Sequence, residues 1–265
     1  MKILTLLVST ATLLFSQTYY SKVEPYELRN ISSNVSGLVL YTDENSLGKI
    51  LTDKSYIKID TSLNRDELKT VKDKIDYLRE TVKTSESILV NLKRSLDKKR
   101  KNYKRIEKLS IKSIVEKDAE FYNLMNSENS YLSMKKEINN YKIQITDLKY
   151  RRTQLEKMIK DKNLIGKDFV LYSLSVKVGQ MVNIATPLAQ VADISKGKLT
   201  IFLDDIDVLD AKKKVVYIND LKTNYKISRV TYISDSTNIS KYKAQIIIDA
   251  PKLFSKLVQI ELRDE

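Results

Sequence analysis

Residues 68–106 read LKTVKDKIDYLRETVKTSESILVNLKRSLDKKRKNYKRI. Within them Leu68, Val71, Ile75, Leu78, Val82, Ser85, Leu89, Leu92, Leu96, Lys99, Tyr103 and Ile106 recur in alternating steps of three and four. Such an a/d repeat turns one seam of a helix toward a partner helix along its whole length, which predicts a coiled coil and not a single surface helix. A second ladder follows at Leu124, Ser127, Tyr131, Met134, Ile138, Tyr141, Ile145, Leu148, Arg152, Leu155 and Ile159. The break between the ladders, residues 110–113, is too short for a domain. The simplest structure is an antiparallel helical hairpin with arms on the order of 70 Å, at about 1.5 Å per residue. This register sets Leu68 near Ile159 at the open end and Ile106 near Leu124 at the turn.

Local signals agree with that hairpin. Neither arm contains Pro or Gly. Asn64 followed by Glu67, and Ser113 followed by Glu116, have the spacing of capping boxes that start each arm. The return arm is expected to end with a C-cap within residues 163–166. Lys99 and Arg152 occupy seam positions. Either their long stems lie along the seam with the charges turned outward, or they control register at some cost in stability.

Short β-prone stretches lie on both sides of the hairpin. Residues 19–28 alternate weakly and are expected to form one strand, and 35–40, 48–51 and 56–59 follow as short strands. After the hairpin come 169–176, 179–182, 188–191, 198–203, 215–218, 225–233, 242–248 and 257–262. Tyr242, Ala244, Ile246 and Ile248 share one face of their strand, and the series as a whole suggests a small antiparallel barrel. Because an antiparallel hairpin brings the chain back to where it left, segments 31–60 and 169–192 must be neighbours. The predicted fold is therefore α+β. A coiled-coil hairpin, 62–163, is inserted into a β domain split into halves 31–61 and 164–196. A barrel, 197–265, follows, and the N-terminal strand in 17–30 joins it.

Composition narrows the chemistry. The 265 residues include no Cys, His or Trp. That removes disulfides, thiolate or imidazole metal sites and Cys or His catalysis from consideration. Asp204, Asp205 and Asp207 cluster after a strand, but without a neighbouring base or glycine-framed loop they read as a solvated turn. The internal Met residues have no ligand spacing. No catalytic, cofactor or metal site is expected. The formal charge of +13 is concentrated in residues 62–162. It reads either as a solvated coiled-coil surface or as attraction to an anionic partner surface or lipid headgroups. No helix-turn-helix, zinc finger or aromatic-studded strand suggests nucleic acid. Residues 1–16, MKILTLLVSTATLLFS, place one Lys before an apolar run of signal-peptide length. The chain is expected to be exported. Leu14, at position −3 of a cleavage after Ser16, is not small, so an uncleaved anchor is the alternative.

Several segments carry a resemblance. Val35-Ser36-Gly37-Leu38-Val39 is similar to the first half of a lipoyl-type domain. Residues 174–182, LSVKVGQMV, and 186–193, TPLAQVAD, are similar to the second half. With the hairpin between them and a barrel after them, nearly the whole mature chain resembles the periplasmic adaptor, or membrane fusion protein, family (HlyD-like). The resemblance implies a hexameric, non-enzymatic adaptor in the periplasm, associated with the inner membrane. Its partners would be an inner-membrane transporter, proton-driven or ATP-driven, and an outer-membrane channel of the TolC type. Members that dock such channels carry Arg-x3-Leu-x6-Ser at the hairpin tip. Arg105 and Leu109 match, but Glu116 stands where the pattern has Ser. The candidate partner-binding residues are therefore Arg105, Leu109, Ser113 and Glu116. Ser255 likewise stands where the family often has Gly. Two rival readings differ from this one. A lipoyl- or biotinyl-carrying protein needs a modified Lys at the turn that the hairpin replaces here, so no cofactor is expected. A structural envelope coiled-coil spacer without a transport role fits the heptads but has no use for split β halves around them.

Overall fold

The computed structural model describes residues 17–234, 238 and 240–264; the expected signal segment lies outside them. In chain order the elements are β1 (Thr18–Lys22), β2 (Glu24–Ser32), β3 (Gly37–Thr42), β4 (Ile57–Ile59), α1 (Ser62–Glu107), α2 (Ile114–Asp161), β5 (Asn163–Leu164), β6 (Val170–Leu174), β7 (Met181–Val182), β8 (Pro187–Leu203), α3 (Asp205–Val208), β9 (Val215–Ile218), β10 (Leu221–Lys222), β11 (Ile227–Ser234), β12 (Tyr242–Asp249) and β13 (Leu257–Arg263). They divide into a hairpin unit, Lys58–Leu164, and a β unit made of the chain on either side of it.

In the hairpin unit every position of both ladders is buried or half-buried. This is the signature of a seam in which each a/d side chain meets the facing helix. Val71, Ile75 and Leu155 form a fully enclosed cluster with Leu68, Ile145, Leu148 and Met158 around it. Polar contacts outside the seam fix the antiparallel sense. Lys162 Nζ donates to Asn64 Oδ1 at 2.7 Å. Arg151 meets Glu67 at 2.7 Å, Lys142 meets Glu86 at 2.8 Å, and Arg100 meets Glu128 at 2.6 Å. Nearer the turn, the Tyr103 and Phe121 rings are 5.8 Å apart, and Lys99 Nζ reaches Asn123 O at 3.4 Å. These contacts continue the antiparallel register to within a few residues of the turn.

The arm ends differ from expectation in two places. Helix α1 begins at Ser62 with Thr61 as N-cap and no side-chain cap, while Asp60 Oδ1 accepts from Ser62 N at 2.8 Å. Asn64 and Glu67 are therefore already inside the helix, and both side chains reach across to α2 instead of forming a capping box. At the other end α2 stops at Asp161, and Asn163 Nδ2 donates to Ile159 O at 2.7 Å. Gly166 is not the C-cap. Its lack of a side chain makes room in the β unit, where a Cβ would lie 2.7 Å from Leu51 Cδ1.

The β unit brings the two halves together. Gly37 and Leu38 of β3 pair antiparallel with Val182 and Met181 of β7. Val39 N donates to Gln180 O at 2.9 Å and Gly179 N to Val39 O at 2.8 Å. Ser33 N donates to Thr186 O at 2.8 Å, and Leu51 N to Phe169 O at 2.7 Å. Residues 48–51, expected as a strand, contribute one isolated bridge, Ile50 to Val170, next to that of Leu47 to Leu171. Two further antiparallel sheets, β1-β13-β9-β10 and β11-β12-β8-β2 with β6 also on β8, share one core and form a half-barrel. Leu199, Ile201, Ala244, Ile246 and Ile260 are fully buried there, and Tyr242 and Ile248 pack against them, as the alternation in β12 predicts. Residues 19–28 are not one strand. The chain passes at Val23 from β1, paired with β13, to β2, paired with β8. Strand β8 runs unbroken from Pro187 to Leu203, joining two stretches that the sequence separates.

Candidate functional site

The hairpin tip is built from the end of α1, a turn, and the start of α2. Helix α1 ends at Glu107, and Leu109 N donates to Ile106 O at 3.0 Å, closing the last turn. Arg105 points into solvent with its Nη2 donating to Asn102 Oδ1 at 2.6 Å. At the start of α2 the expected capping box is present. Ser113 Oγ accepts from Glu116 N at 3.3 Å, and Glu116 Oε2 accepts from Ser113 N at 3.0 Å. Lys112 Nζ adds a salt bridge to the other carboxylate oxygen at 2.8 Å. Together the Lys112 ammonium and then the Ser113 N–H and hydroxyl hold the Glu116 carboxyl down at about 2. The structure thus joins Ser113 and Glu116 in one hydrogen-bonded unit. Arg105, in the last turn of α1, and Leu109, just past its end, stand four residues apart, both exposed.

The division of labour among these four residues follows from those bonds. Both Glu116 oxygens are engaged within the tip, so this residue fixes the turn. That accounts for a carboxylate where the family pattern has Ser: an acidic group at N3 caps the N–H of the N-cap residue and meets the positive helix end. Arg105 and Leu109 remain as outward-facing groups. The sequence reading missed the rest of the tip surface. Ile111, Ile114 and Val115 are 88%, 78% and 77% exposed, against 45% for Leu109. A signal for them existed: they are β-branched apolar residues that fall outside both ladders, so the seam does not explain them.

Elsewhere the acidic cluster after β8 has a structural role. Asp204 takes hydrogen bonds from Gln17 Nε2 and Lys241 Nζ. Asp207 takes them from Tyr19 OH at 2.6 Å and Lys214 Nζ at 2.9 Å. Burial and then Asp207 push the Tyr19 hydroxyl far up, so it stays a neutral donor. These bonds fasten β1 to the half-barrel, so the cluster is a tether and not a solvated turn. Among the described residues no group of three or more His, Cys, Asp or Glu is placed to hold a metal ion. No helix there is long and apolar enough to cross a membrane.

No family model matches the sequence, and no curated protein matches it. Solved structures do match. MacA from Actinobacillus actinomycetemcomitans is similar at 20% identity over 93% of this chain and 78% of that one, with a TM-score of 0.65. A MacA-MexA chimera containing the Pseudomonas aeruginosa MexA α-hairpin is similar at 15% identity over 94% of this chain and 82% of that one, with a TM-score of 0.62. The membrane fusion protein Spr0693 from Streptococcus pneumoniae R6 is similar at 10% identity over 94% of this chain and 100% of that one, with a TM-score of 0.54. The hairpin between paired β halves, the half-barrel and these likenesses agree, and the fold of this chain is that of the periplasmic adaptor, or membrane fusion protein, family.

Proposed function

We propose that this chain is a non-enzymatic periplasmic adaptor subunit of a tripartite efflux or secretion system. It would link an inner-membrane transporter, proton-driven or ATP-driven, to an outer-membrane channel of the TolC type. The observation that carries this reading is the hairpin itself. A coiled coil on the order of 70 Å long, inserted into a β unit and ending in an exposed tip, suits contact across a distance better than any chemistry. In this reading Arg105 and Leu109 contact the channel, Ser113 and Glu116 hold the turn that presents them, and the paired β halves pack copy against copy in a hexameric ring. The half-barrel with β1 faces the transporter.

The test is complementation of export in a strain lacking the chromosomal copy, with expression levels matched. Arg105→Asp reverses an exposed charge whose guanidinium hydrogen-bonds a neighbour on its own helix, Asn102, so the helical circular dichroism spectrum should stay the same while export is lost. Full export by Arg105→Asp would take the tip out of the partner contact.

A further inference from the structure

The tip carries a surface that the channel contact does not use. Ile111, Ile114 and Val115 form its outermost end and are almost fully exposed. Behind them the α1 arm is strongly basic: residues 98–112 hold eight Lys or Arg and one acid, Glu107, while the first turns of α2 carry Glu116, Asp118 and Glu120 with Lys117. Arg100 and Lys112 are paired, with Glu128 and Glu116. Lys101, Lys104, Arg105 and Lys108 are exposed and form no ion pair among the described residues. At steps of three and four they make a stripe along α1 that ends at the apolar turn. On the other arm Tyr122 is exposed about 12 Å behind Ile114, at about 1.5 Å per residue.

We propose that the end of the hairpin inserts into an anionic lipid surface. Ile111, Ile114 and Val115 enter the acyl boundary, and Lys101, Lys104 and Lys108 meet the headgroup phosphates. Apolar side chains backed by Lys and Arg are the composition that binds the membrane interface, and the basic charge adds attraction specific to anionic lipid. Tyr122 stands at headgroup depth, where its amphipathic ring is favoured. The outermost residues suit hydrocarbon better than a protein socket. They are branched aliphatics, whereas protein contact sites draw their binding energy mainly from Trp, Tyr and Arg. Glu116, the acid nearest the apolar end, is held by Lys112 and Ser113, which limits its repulsion of the headgroups. This inference goes beyond the adaptor reading and stands or falls without it, because its test contains neither transporter nor channel.

The experiment uses the full chain and phosphatidylcholine vesicles with or without phosphatidylglycerol. The chain has no Cys, so Ile114→Cys, and separately Val115→Cys, can carry a polarity-sensitive fluorophore at the tip alone. The expected result is a blue shift on vesicles containing phosphatidylglycerol. It should be reversed by high salt and weakened at least tenfold in apparent affinity by Lys101→Gln, Lys104→Gln and Lys108→Gln together. In unlabelled protein, Ile111→Ser, Ile114→Ser and Val115→Ser together should lower co-sedimentation with the same vesicles at least tenfold. These positions are exposed, so helicity should be unchanged, and the apolar N-terminal stretch is common to every variant. No blue shift at either position overturns the proposal, as does an equal shift on neutral vesicles. If the serine variant sediments like the wild type and instead loses capture of a purified channel, the surface is a protein contact and the lipid assignment is wrong.

Discussion

At the scale of single residues the backbone shows where this Gly-poor chain makes do without Gly. Ala185 sits at φ 68° and Ser255 at φ 69°, in the left-handed region that non-Gly residues enter at a cost of about 1 kcal/mol. Both are held there by backbone bonds, Ala185 N to Ser33 O and Ser255 N to Val23 O. Ser255 is the position where the family often has Gly, so the departure is one of composition and not of backbone shape. Ala185→Gly should stabilise the β unit by about 0.5–1 kcal/mol, the relief of left-handed strain less the added freedom of the unfolded chain. Urea denaturation should show a raised midpoint with an unchanged slope. Ser113→Ala should cost about 1 kcal/mol of helix stability by removing the N-cap acceptor. The cap also titrates. Glu116 is held at about 2 against an ordinary 4.5, a lowered value, so its contribution is complete above about pH 4.5 and is lost as pH falls toward 2. Protection of the amides at residues 113–117, taken relative to their intrinsic exchange rate at each pH, should fall across that window in the wild type, and Glu116→Gln should remove the transition.

At the scale of elements, the seam tests whether its charged members pack or instruct. Arg152 Nε is buried without a hydrogen-bond partner, and the nearest carboxylate oxygen, on Glu156, is 3.7 Å away. Lys99 differs, since it reaches a main-chain carbonyl on the other arm. An orphaned buried donor costs about 1–3 kcal/mol, so Arg152→Leu should raise hairpin stability by about 1 kcal/mol. It should leave spin-label distances between α1 and α2 unchanged. A broadened distance distribution would instead make Arg152 a register device. Much of this level was legible in advance. The ladders, the Ser113 box and the alternation in β12 depend on periodicity and local bonding, which the sequence carries directly. The misread places depend on contacts remote in sequence. Asn64 and Glu67 look like a cap until α2 supplies Lys162 and Arg151 as better partners. Strands expected at 188–191 and 198–203 are one, because a Cβ on Gly197 would lie 2.7 Å from Ile248 Cγ1, so the glycine admits the neighbouring strand and β8 continues. The apolar end of the tip was passed over because the ladder pattern explains only residues that face the other arm.

At the scale of the whole molecule, the account rests on two proposed contact surfaces, one at the hairpin tip and one on the half-barrel. Of the candidate site, Arg105 and Leu109 were readable as a spaced pair and Ser113 with Glu116 as a capping box, while the Lys112 bridge to Glu116 and the exposure of Ile111, Ile114 and Val115 emerged only with the turn geometry. The direct measurement is site-specific photo-crosslinking in the native cell, with the photoreactive residue placed at Leu109 in one variant and at Leu253 in another. Both side chains are exposed, at 45% and 76%, so either substitution should leave the fold intact. The account predicts an outer-membrane channel captured from position 109 and an inner-membrane transporter captured from position 253, with no exchange between the two. Crosslinks from both positions only to further copies of the same chain would contradict it and mark the protein as a spacer.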